Sequence, residues 1–487
     1  MNILALDVGT TSIRGILYRE DGKVLGSASQ LTPLIFDGDH IEQAPQVYRD
    51  ALISICGKAL SFGSVDAVSV TAYRSAPALF DREGNPLTNF IMWQDTRNRE
   101  ICESLFPHNE EIFHRTGARV NAVFTASKIT WFKENLPEAY EKAYKALVVP
   151  DYLIHLMTGA WTSDRTYGSR TGVMDIRTLD WDPEMLALYR LDRDRLPDLI
   201  DVGTVAGQTH KGFEEMTGIP AGTPVVTAGG DQQCGALGLG ELDSSSLVIN
   251  CGTGSFIISL ADAPVLENSS MICNVSAVRG KYTVESNVLA SAAALNWEIR
   301  EIFPELWNGG DPDFGAFNAI AASAPLGSNG VICVPLFQGC GTRDWNIAAR
   351  ASFSGFSLHN TRADLARSIF EGIGAEIIKS VNALPVSCRS AERIRIGGGL
   401  TKSDFFNQML CDMSGKELLR YNDAQATAIG AFMSAAVELG IHDTLMDAFD
   451  AARGGAAAKV YTPGAKAHSE YLKYIEATER VYKELNQ

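Results

Sequence analysis

The sequence predicts an α/β protein built from two similar halves that face each other across a cleft. Three observations carry that expectation. The chain has 487 residues, too many for one ordinary core, so two or more domains are expected. Each half holds a glycine-threonine turn between two apolar runs that read as strands: Asp7-Val8-Gly9-Thr10-Thr11 and Gly252-Thr253-Gly254-Ser255. An acidic turn, Gly229-Gly230-Asp231-Gln232-Gln233, lies between them. Glycine lets a backbone come close to a phosphate, and the amides and Thr hydroxyls of such turns donate to anionic oxygens. Two of these turns suggest two half-proteins gripping one polyphosphate. A lone carboxylate after two glycines suits a base held beside it.

The elements follow in order. Residues 3–8 and 12–18 flank the first turn as strands, and Asp21-Gly22 makes a hairpin into a third strand at 24–28. A helical stretch at 47–60 precedes a strand at 65–72. Residues 78–80 and 86–87 flank a turn at 81–85. Helical patterns and loops fill much of 98–215. The apolar strand 224–228 ends at Gly229-Gly230-Asp231. In the second half, 247–250 and 256–260 flank the second turn. A helix at 363–384 carries Ile369, Ile373 and Ile377 on one face. A strand at 393–396 runs into Gly397-Gly398-Gly399, Ser403 can cap a helix at 404–413, and a last amphipathic helix covers 424–439. Each half therefore offers a meander with a Gly-Thr turn, then a strand ending in a glycine-rich turn. Glu241-Leu242-Asp243-Ser244-Ser245-Ser246 is the natural boundary, giving domains 1–242 and 243–487 and a hinge that lets the cleft close.

Composition narrows the function. The apolar fraction of 46% is that of a soluble globular protein, and the formal net charge of −16 argues against a nucleic-acid surface. No apolar run approaches the roughly 18 residues a membrane helix needs. Asp7 interrupts the only early apolar run and no basic segment precedes it, so no signal peptide is expected. The nine scattered cysteines lack Cys-x-x-Cys pairs and read as reduced, buried thiols of a cytoplasmic protein. The eight histidines show no metal spacing, which speaks against a tightly bound zinc.

Other phosphate-binding signatures are missing. There is no Gly-x-x-x-x-Gly-Lys-[Ser/Thr], and Gly252-Thr253-Gly254 lacks the third glycine of a dinucleotide fingerprint. Each Gly-Thr turn alone reads as an ordinary hairpin. Their ordered combination with Asp231 and the triple glycine is far more specific.

In that combination the chain resembles the FGGY carbohydrate kinases over nearly its whole length. The pieces are Asp7-Val8-Gly9-Thr10-Thr11-Ser12-Ile13-Arg14, Trp93-Gln94-Asp95-Thr96-Arg97, Phe124-Thr125-Ala126-Ser127-Lys128, Gly229-Gly230-Asp231, Gly252-Thr253-Gly254, Gly397-Gly398-Gly399 and Ala426-Thr427-Ala428-Ile429-Gly430. The resemblance implies two actin/Hsp70-like (ribonuclease H-like) domains flanking a nucleotide- and sugar-binding cleft. It also implies transfer of the ATP γ-phosphoryl group to a sugar or polyol hydroxyl. By matching position Asp231 is the general base and Asp7 orients Mg²⁺, often through water. Gly9, Thr10, Thr11 and Arg14 meet the terminal phosphates from one side, Gly252 and Thr253 from the other. Gly398, Gly399 and Ser403 border the adenosine, Ser403 having helix capping as its alternative. Arg74, Trp93, Gln94, Asp231 and Gln232 form the acceptor pocket.

The pattern within the family is mixed. Phe124 to Lys128, with Asp95 and Arg97, is similar to xylulokinases, which however show Met-His where this chain has Arg74-Ser75. Arg74, Asp231-Gln232 and Phe256 are similar to glycerol kinases, which carry Arg-Glu at 74–75 and a substrate-contacting Tyr at Val123. Arg343 replaces a common proline two residues before Trp345, and Gln425 a common glutamate; altered local packing is expected at both. The expected acceptor is a ketopentose such as xylulose, with glycerol, another polyol or another small or deoxy ketose as alternatives. A nucleotide-dependent switch and a non-catalytic sugar sensor are further readings. Partners are ATP and a small sugar or polyol, with no nucleic acid and no membrane; a homodimer is left open.

Overall fold

The computed structural model describes residues 1–421, 425–454 and 457–486. Two large sheets organise it. The first contains β1 (Asn2–Val8), β2 (Ser12–Arg19), β3 (Val24–Leu31), β4 (Ala67–Ala72), β5 (Thr204–Gln208) and β6 (Pro224–Gly230), in the order β5-β6-β4-β1-β2-β3. The second contains β7 (Ser246–Cys251), β8 (Ser255–Ala261), β9 (Ile272–Val275), β10 (Tyr282–Val288), β11 (Arg393–Gly397), β12 (Glu417–Arg420) and β13 (Lys459–Tyr461), in the order β9-β10-β8-β7-β11-β12-β13. β1 pairs antiparallel with β2 and parallel with β4, as β7 does with β8 and β11. The outer strands β5 and β13 close each sheet antiparallel. The halves are thus topological copies, with β9 added to the second.

Superposing the strand orders changes one expectation. The strand ending in Gly229-Gly230-Asp231 is β6, whose counterpart is β12. The strand ending in the triple glycine is β11, whose counterpart is β4. The two glycine-rich turns are not equivalent, because residue order along the chain does not report lateral order within a sheet. The other elements follow the expected plan with shifted ends. The first helix, α1 (Pro45–Leu60), starts on Pro45, a residue suited to a first helical position. The last amphipathic helix runs Ala426–Glu438; its expected start at Ala424 lies outside the described residues.

Helices cover both faces of the sheets, so β1 and β4 are almost continuously buried. Period-two alternation sorts β1. Leu4, Leu6 and Val8 face Tyr48 and Ile55 of α1, whereas Ile3 and Ala5 face the space between the sheets. β7 repeats this, with Leu247, Ile249 and Cys251 in the outer core and Val248 facing inward. By the same alternation Asp7 and Asn250 both belong to the inner faces, at the strand ends.

Two helices fill the space between the sheets, α2 (Asp231–Gly238) and α3 (Ala426–Glu438). α3 comes from the second half but packs Ala428, Phe432 and Ala435 with Ile3, Ala5 and Tyr18 of the first sheet. α2 comes from the first half and packs Ala236 with Val248 and Ile258 of the second. Glycines allow the helices to touch: a Cβ on Gly238 would lie 1.9 Å from the Ala426 carbonyl oxygen, and one on Gly430 2.1 Å from that of Cys234. The segment after α2 is also packed, with Glu241 fully buried. All nine cysteines are buried thiols. Among the described residues no helix is long and apolar enough to cross a membrane.

Candidate active site

The first Gly-Thr turn and the start of α2 meet at one cavity, lined by Thr10 and Asp231, which Phe256 reaches from the strand after the second turn. In the first turn the Gly9 amide donates to the Ser12 carbonyl at 2.9 Å, which tightens the hairpin. Asp7 sits opposite Arg14 on β2 and Thr71 on β4. In the second turn the Gly252 amide donates to the Gly254 carbonyl at 2.8 Å, and the Thr253 carbonyl accepts from the Ser291 amide at 2.8 Å. Thr11, Arg14 and Thr253 are exposed, so their side chains are open to a ligand. Gly398 approaches the Cys251 carbonyl, which brings the triple-glycine turn onto the end of β7; Gly399 is exposed. Ser403 caps the helix Asp404–Ser414 by accepting from the Phe406 amide at 3.1 Å, and it donates to Asn318 Oδ1 at 2.8 Å. Its hydroxyl is engaged by the protein.

Asp231 opens α2, where the helix N-terminus favours a carboxylate, and its Oδ1 accepts from the Gln232 amide at 2.7 Å. Burial nonetheless raises its pKa above the usual carboxylate value, Glu285 adds to the rise, and Arg74 and Arg170 oppose it. Asp7 rises to about 6, chiefly through burial and then through the charge of Asp231, with Arg14 opposing. The two carboxylates of the first half feel each other's charge. That pairing fits a divalent cation, because Mg²⁺ binds through one or two carboxylates while keeping several waters. Asp7 is the residue that would hold it.

The Gly229-Gly230-Asp231 turn is braced from a segment that residue patterns did not single out. Asp164 accepts from the Thr166 amide and from Thr227 Oγ1, at 2.7 and 2.8 Å. Thr166 Oγ1 accepts from the Gly230 amide at 3.0 Å, and Tyr167 Oη donates to the Gly229 carbonyl at 2.8 Å. Glycine at 230 leaves room for Arg74, whose Cδ would lie 2.7 Å from a Cβ there. Arg170 ends the same segment. It pairs with Glu285 of β10 at 2.6 Å, and Arg74 approaches the other Glu285 oxygen at 3.7 Å. All three side chains are nearly buried. Glu285 therefore ties two first-half arginines to the second sheet.

These groups open onto a cavity of about 470 Å³. Arg74, Trp93, Asp231 and Gln232, the residues proposed for the acceptor, line it, together with Thr10, which was assigned to the phosphates, and Phe256. Trp93 Nε1 donates to Thr10 Oγ1 at 3.1 Å, joining the first turn to the pocket. Gln94 is not among the lining residues; its Oε1 is buried without a hydrogen-bond partner. Sequence reasoning missed Asn121, Arg170, Ile272, Asn287 and Trp345 in this wall, and missed Glu285 behind it. They lie on segments outside the glycine motifs, and a buried Arg-Glu-Arg set has no local spacing to betray it.

Of the xylulokinase-like residues, all but Phe124 lie outside the cavity wall. Asp95 is fully buried and accepts from the Ile41 amide and from Arg97. Arg97 also pairs with Glu42 at 2.8 Å and stacks over Trp131. In the run 124–128 only Phe124 lines the cavity. Lys128 is buried beneath it, donating to the Ser75 and Val123 carbonyls at 3.3 and 3.0 Å, and burial lowers its pKa to about 7. Arg343 packs as a new anchor, pairing with Glu479 at 2.9 Å and lying over the Tyr482 ring. Gln425 accepts a hydrogen bond from Tyr18 Oη at 3.3 Å.

Comparison with known proteins bears on this site. Residues 2–238 match the N-terminal domain of the FGGY family of carbohydrate kinases, and residues 247–439 match its C-terminal domain. A glycerol kinase of Thermococcus gammatolerans is 30% identical over 447 residues, 88% of this chain and 87% of the relative. A ligand-bound xylulose kinase structure from Lactobacillus acidophilus superposes with a TM-score of 0.91 at 25% identity, covering 100% of this chain and 98% of that one. A Plasmodium falciparum glycerol kinase structure with ADP superposes with a TM-score of 0.88 at 24% identity, covering 98% of each.

Proposed function

The chain belongs to the FGGY family of carbohydrate kinases and is a phosphotransferase acting on a sugar or polyol, and we propose that it moves the ATP γ-phosphoryl group to a terminal hydroxyl of an open-chain ketopentose such as xylulose. One observation supports an acceptor larger than glycerol. Ser75 and Val123 line the cavity where glycerol kinases carry Glu and Tyr. A three-carbon triol would leave most of about 470 Å³ empty and would lack both partners.

In this reading the acceptor chain lies along Trp93, with Arg74 and Gln232 fixing its hydroxyls. Its terminal hydroxyl meets Asp231, which accepts the proton as the new P–O bond forms and ADP leaves. The turn Gly9-Thr10-Thr11, with Arg14, meets the terminal phosphates from one side, and Gly252 and Thr253 meet them from the other. Gly398 and Gly399 border the adenosine. Asp7 would hold Mg²⁺, which would supply charge neutralisation to the phosphates. Closure of the cleft, with the segment 241–246 as hinge, excludes the water that would compete as acceptor.

The test is ADP formation across ketopentoses, polyols, deoxy ketoses and glycerol, with the Arg74→Ala variant alongside. A ketopentose should give the highest kcat/KM, and Arg74→Ala should raise KM for the sugar with little change for ATP. If glycerol is the only efficient acceptor, the ketose reading fails and glycerol kinase takes its place.

A further inference from the structure

Next to the acceptor cavity lies a second one of about 600 Å³ for which the proposed reaction has no use. The two share Asn121, Phe124, Ile272, Trp345 and Ile347. We infer that this second cavity is a further subsite for the acceptor, and that it takes an apolar substituent carried at the end remote from the phosphorylated hydroxyl. The inference rests on the reading that an open-chain acceptor places its terminal hydroxyl at Asp231.

The two cavities differ in chemistry. The first is walled by Arg74, Arg170, Asp231, Gln232 and Asn287, a set made for hydroxyl groups. Beyond the shared wall come Cys102, Phe106, Val120, Ala122 and Met271, which offer no strong hydrogen-bonding side chain. Arg99, Glu103, Asn109, Arg119 and Ser269 supply its polar atoms; the Arg119 Nη2 is committed to Glu110 and Ser269, at 2.9 and 2.7 Å, and its Nε is buried without a partner. A substituent seated against this apolar surface gains about fourfold in affinity for each methylene removed from water. A hydroxylated chain gains no such increment against the apolar surface.

The shared wall is held in place. Trp345 has φ +50°, a left-handed conformation that is costly for a bulky residue and persists only where its surroundings impose it. Its amide donates to the Gly341 carbonyl at 2.8 Å and its indole Nε1 to the Ser270 carbonyl at 2.8 Å. The Arg343–Glu479 ion pair anchors the same loop to the C-terminal helix, Ala465–Leu485. Asn121 stands at the passage. Its Oδ1 accepts from the Val123 amide at 2.9 Å, which leaves its Nδ2 hydrogens for the last polar atom of an acceptor passing through.

The experiment compares xylulose and glycerol with their mono-O-butyl ethers, substituted at the end not phosphorylated. In the wild type the ethers should exceed their parents at least tenfold in kcat/KM. Ala122→Phe, which fills only the second cavity, should remove that preference and leave the parents within about twofold. Phe106→Ala, on the exposed turn Phe106–His108, keeps the test open should Ala122→Phe not fold; it should lower the preference two- to threefold. Ethers no better than their parents, or a preference that survives both variants, would overturn the inference. Should no acceptor be phosphorylated, the proposed function fails first. Calorimetric titration of each ether and its parent then decides the subsite by the same tenfold criterion.

Discussion

The first sheet ends at β3, whose residues are mostly exposed or half-buried. The second continues past the strand equivalent to β3, β10, to one more strand, β9, which is fully buried. β9 reaches across to the first half: the Cys273 amide donates to the Gly117 carbonyl at 2.8 Å, and the Val275 amide to Ser169 Oγ at 3.4 Å. Its Ile272 lines both cavities. The inner strand ends differ too. Asp7 in the first sheet corresponds to Asn250 in the second, one charged and one neutral at the same place in the copied fold. The difference teaches a division of labour. The parts that repeat, two Gly-Thr turns on two strand pairs, suit a symmetric grip on phosphate. The parts that do not repeat, β9, the segment 164–171 and Glu285, place Ile272 and Arg170 in the wall of the cavity proposed for the acceptor, with Glu285 behind it.

If that division holds, changes at the phosphate centre should cost turnover whatever the acceptor. The largest effect belongs to Asp231→Asn, which keeps shape but removes the proton acceptor. It should lower kcat by roughly 100- to 10,000-fold, equally for every acceptor, with nucleotide binding by calorimetry preserved. A variant within a few-fold of wild type would remove Asp231 from the mechanism.

Asp7→Asn gives the first turn the residue type that the second already has. It should cost roughly 10- to 100-fold in activity and raise the Mg²⁺ needed. Stability should move the other way. The Asp7 carboxyl has its pKa lifted from 3.8 to about 6, so the folded state holds that proton more tightly than the unfolded chain. The associated stability is present below pH 3.8 and is lost as pH rises through about 6. At pH 7 the ionised group then costs up to about 3 kcal/mol. Asp7→Asn should therefore melt higher than wild type at pH 7.5 in chelator, with the gain shrinking toward pH 4. Equal melting temperatures across that range would show that Asp7 is not held under strain.

Glu285→Gln tests the other side of the division. It leaves Arg74 and Arg170 without their shared carboxylate and should raise KM for the acceptor about tenfold, with KM for ATP within twofold. Because the Glu285 charge helps to raise Asp231, the acid limb of the kcat/KM profile should move to lower pH. Glu285→Asp should recover part of both effects. Equal rises in KM for sugar and for ATP would mean that Glu285 merely holds the halves together.

The sequence made the repeat visible because glycine and threonine at a tight turn are local requirements, written in consecutive residues. Asp231 was visible for the same reason. The lateral order of strands was not: Gly397-Gly398-Gly399 resembled a partner of Gly229-Gly230-Asp231 until β11 was seen to take the place of β4. Nor were Arg170 and Glu285 visible, since their pairing spans 115 residues and depends on a strand from the other half. Asp95 and Arg97 marked a likeness to xylulokinases without marking a place in the cavity: the carboxylate binds the Ile41 amide and the guanidinium stacks on Trp131. Local signals specify turns well; they do not tell which side of a turn faces the cleft.

The smallest predicted effect separates a nucleotide contact from a helix cap within one short stretch. Ser403 was expected at the adenosine or as a helix cap; its hydroxyl accepts from the Phe406 amide and donates to Asn318. Removing a cap of this type costs about 1 kcal/mol. Ser403→Ala should therefore lower the melting temperature slightly while leaving KM for ATP within twofold. Gly399→Ala is its counterpart. A Cβ at Gly399 meets nothing within 4 Å, so the fold should tolerate it, but that Cβ would project where the adenosine is proposed to lie. It should raise KM for ATP a few-fold with the melting temperature unchanged. The reverse pattern, with Ser403→Ala acting on ATP and Gly399→Ala on stability, would place the nucleotide against the start of the helix Asp404–Ser414 rather than against the glycine turn.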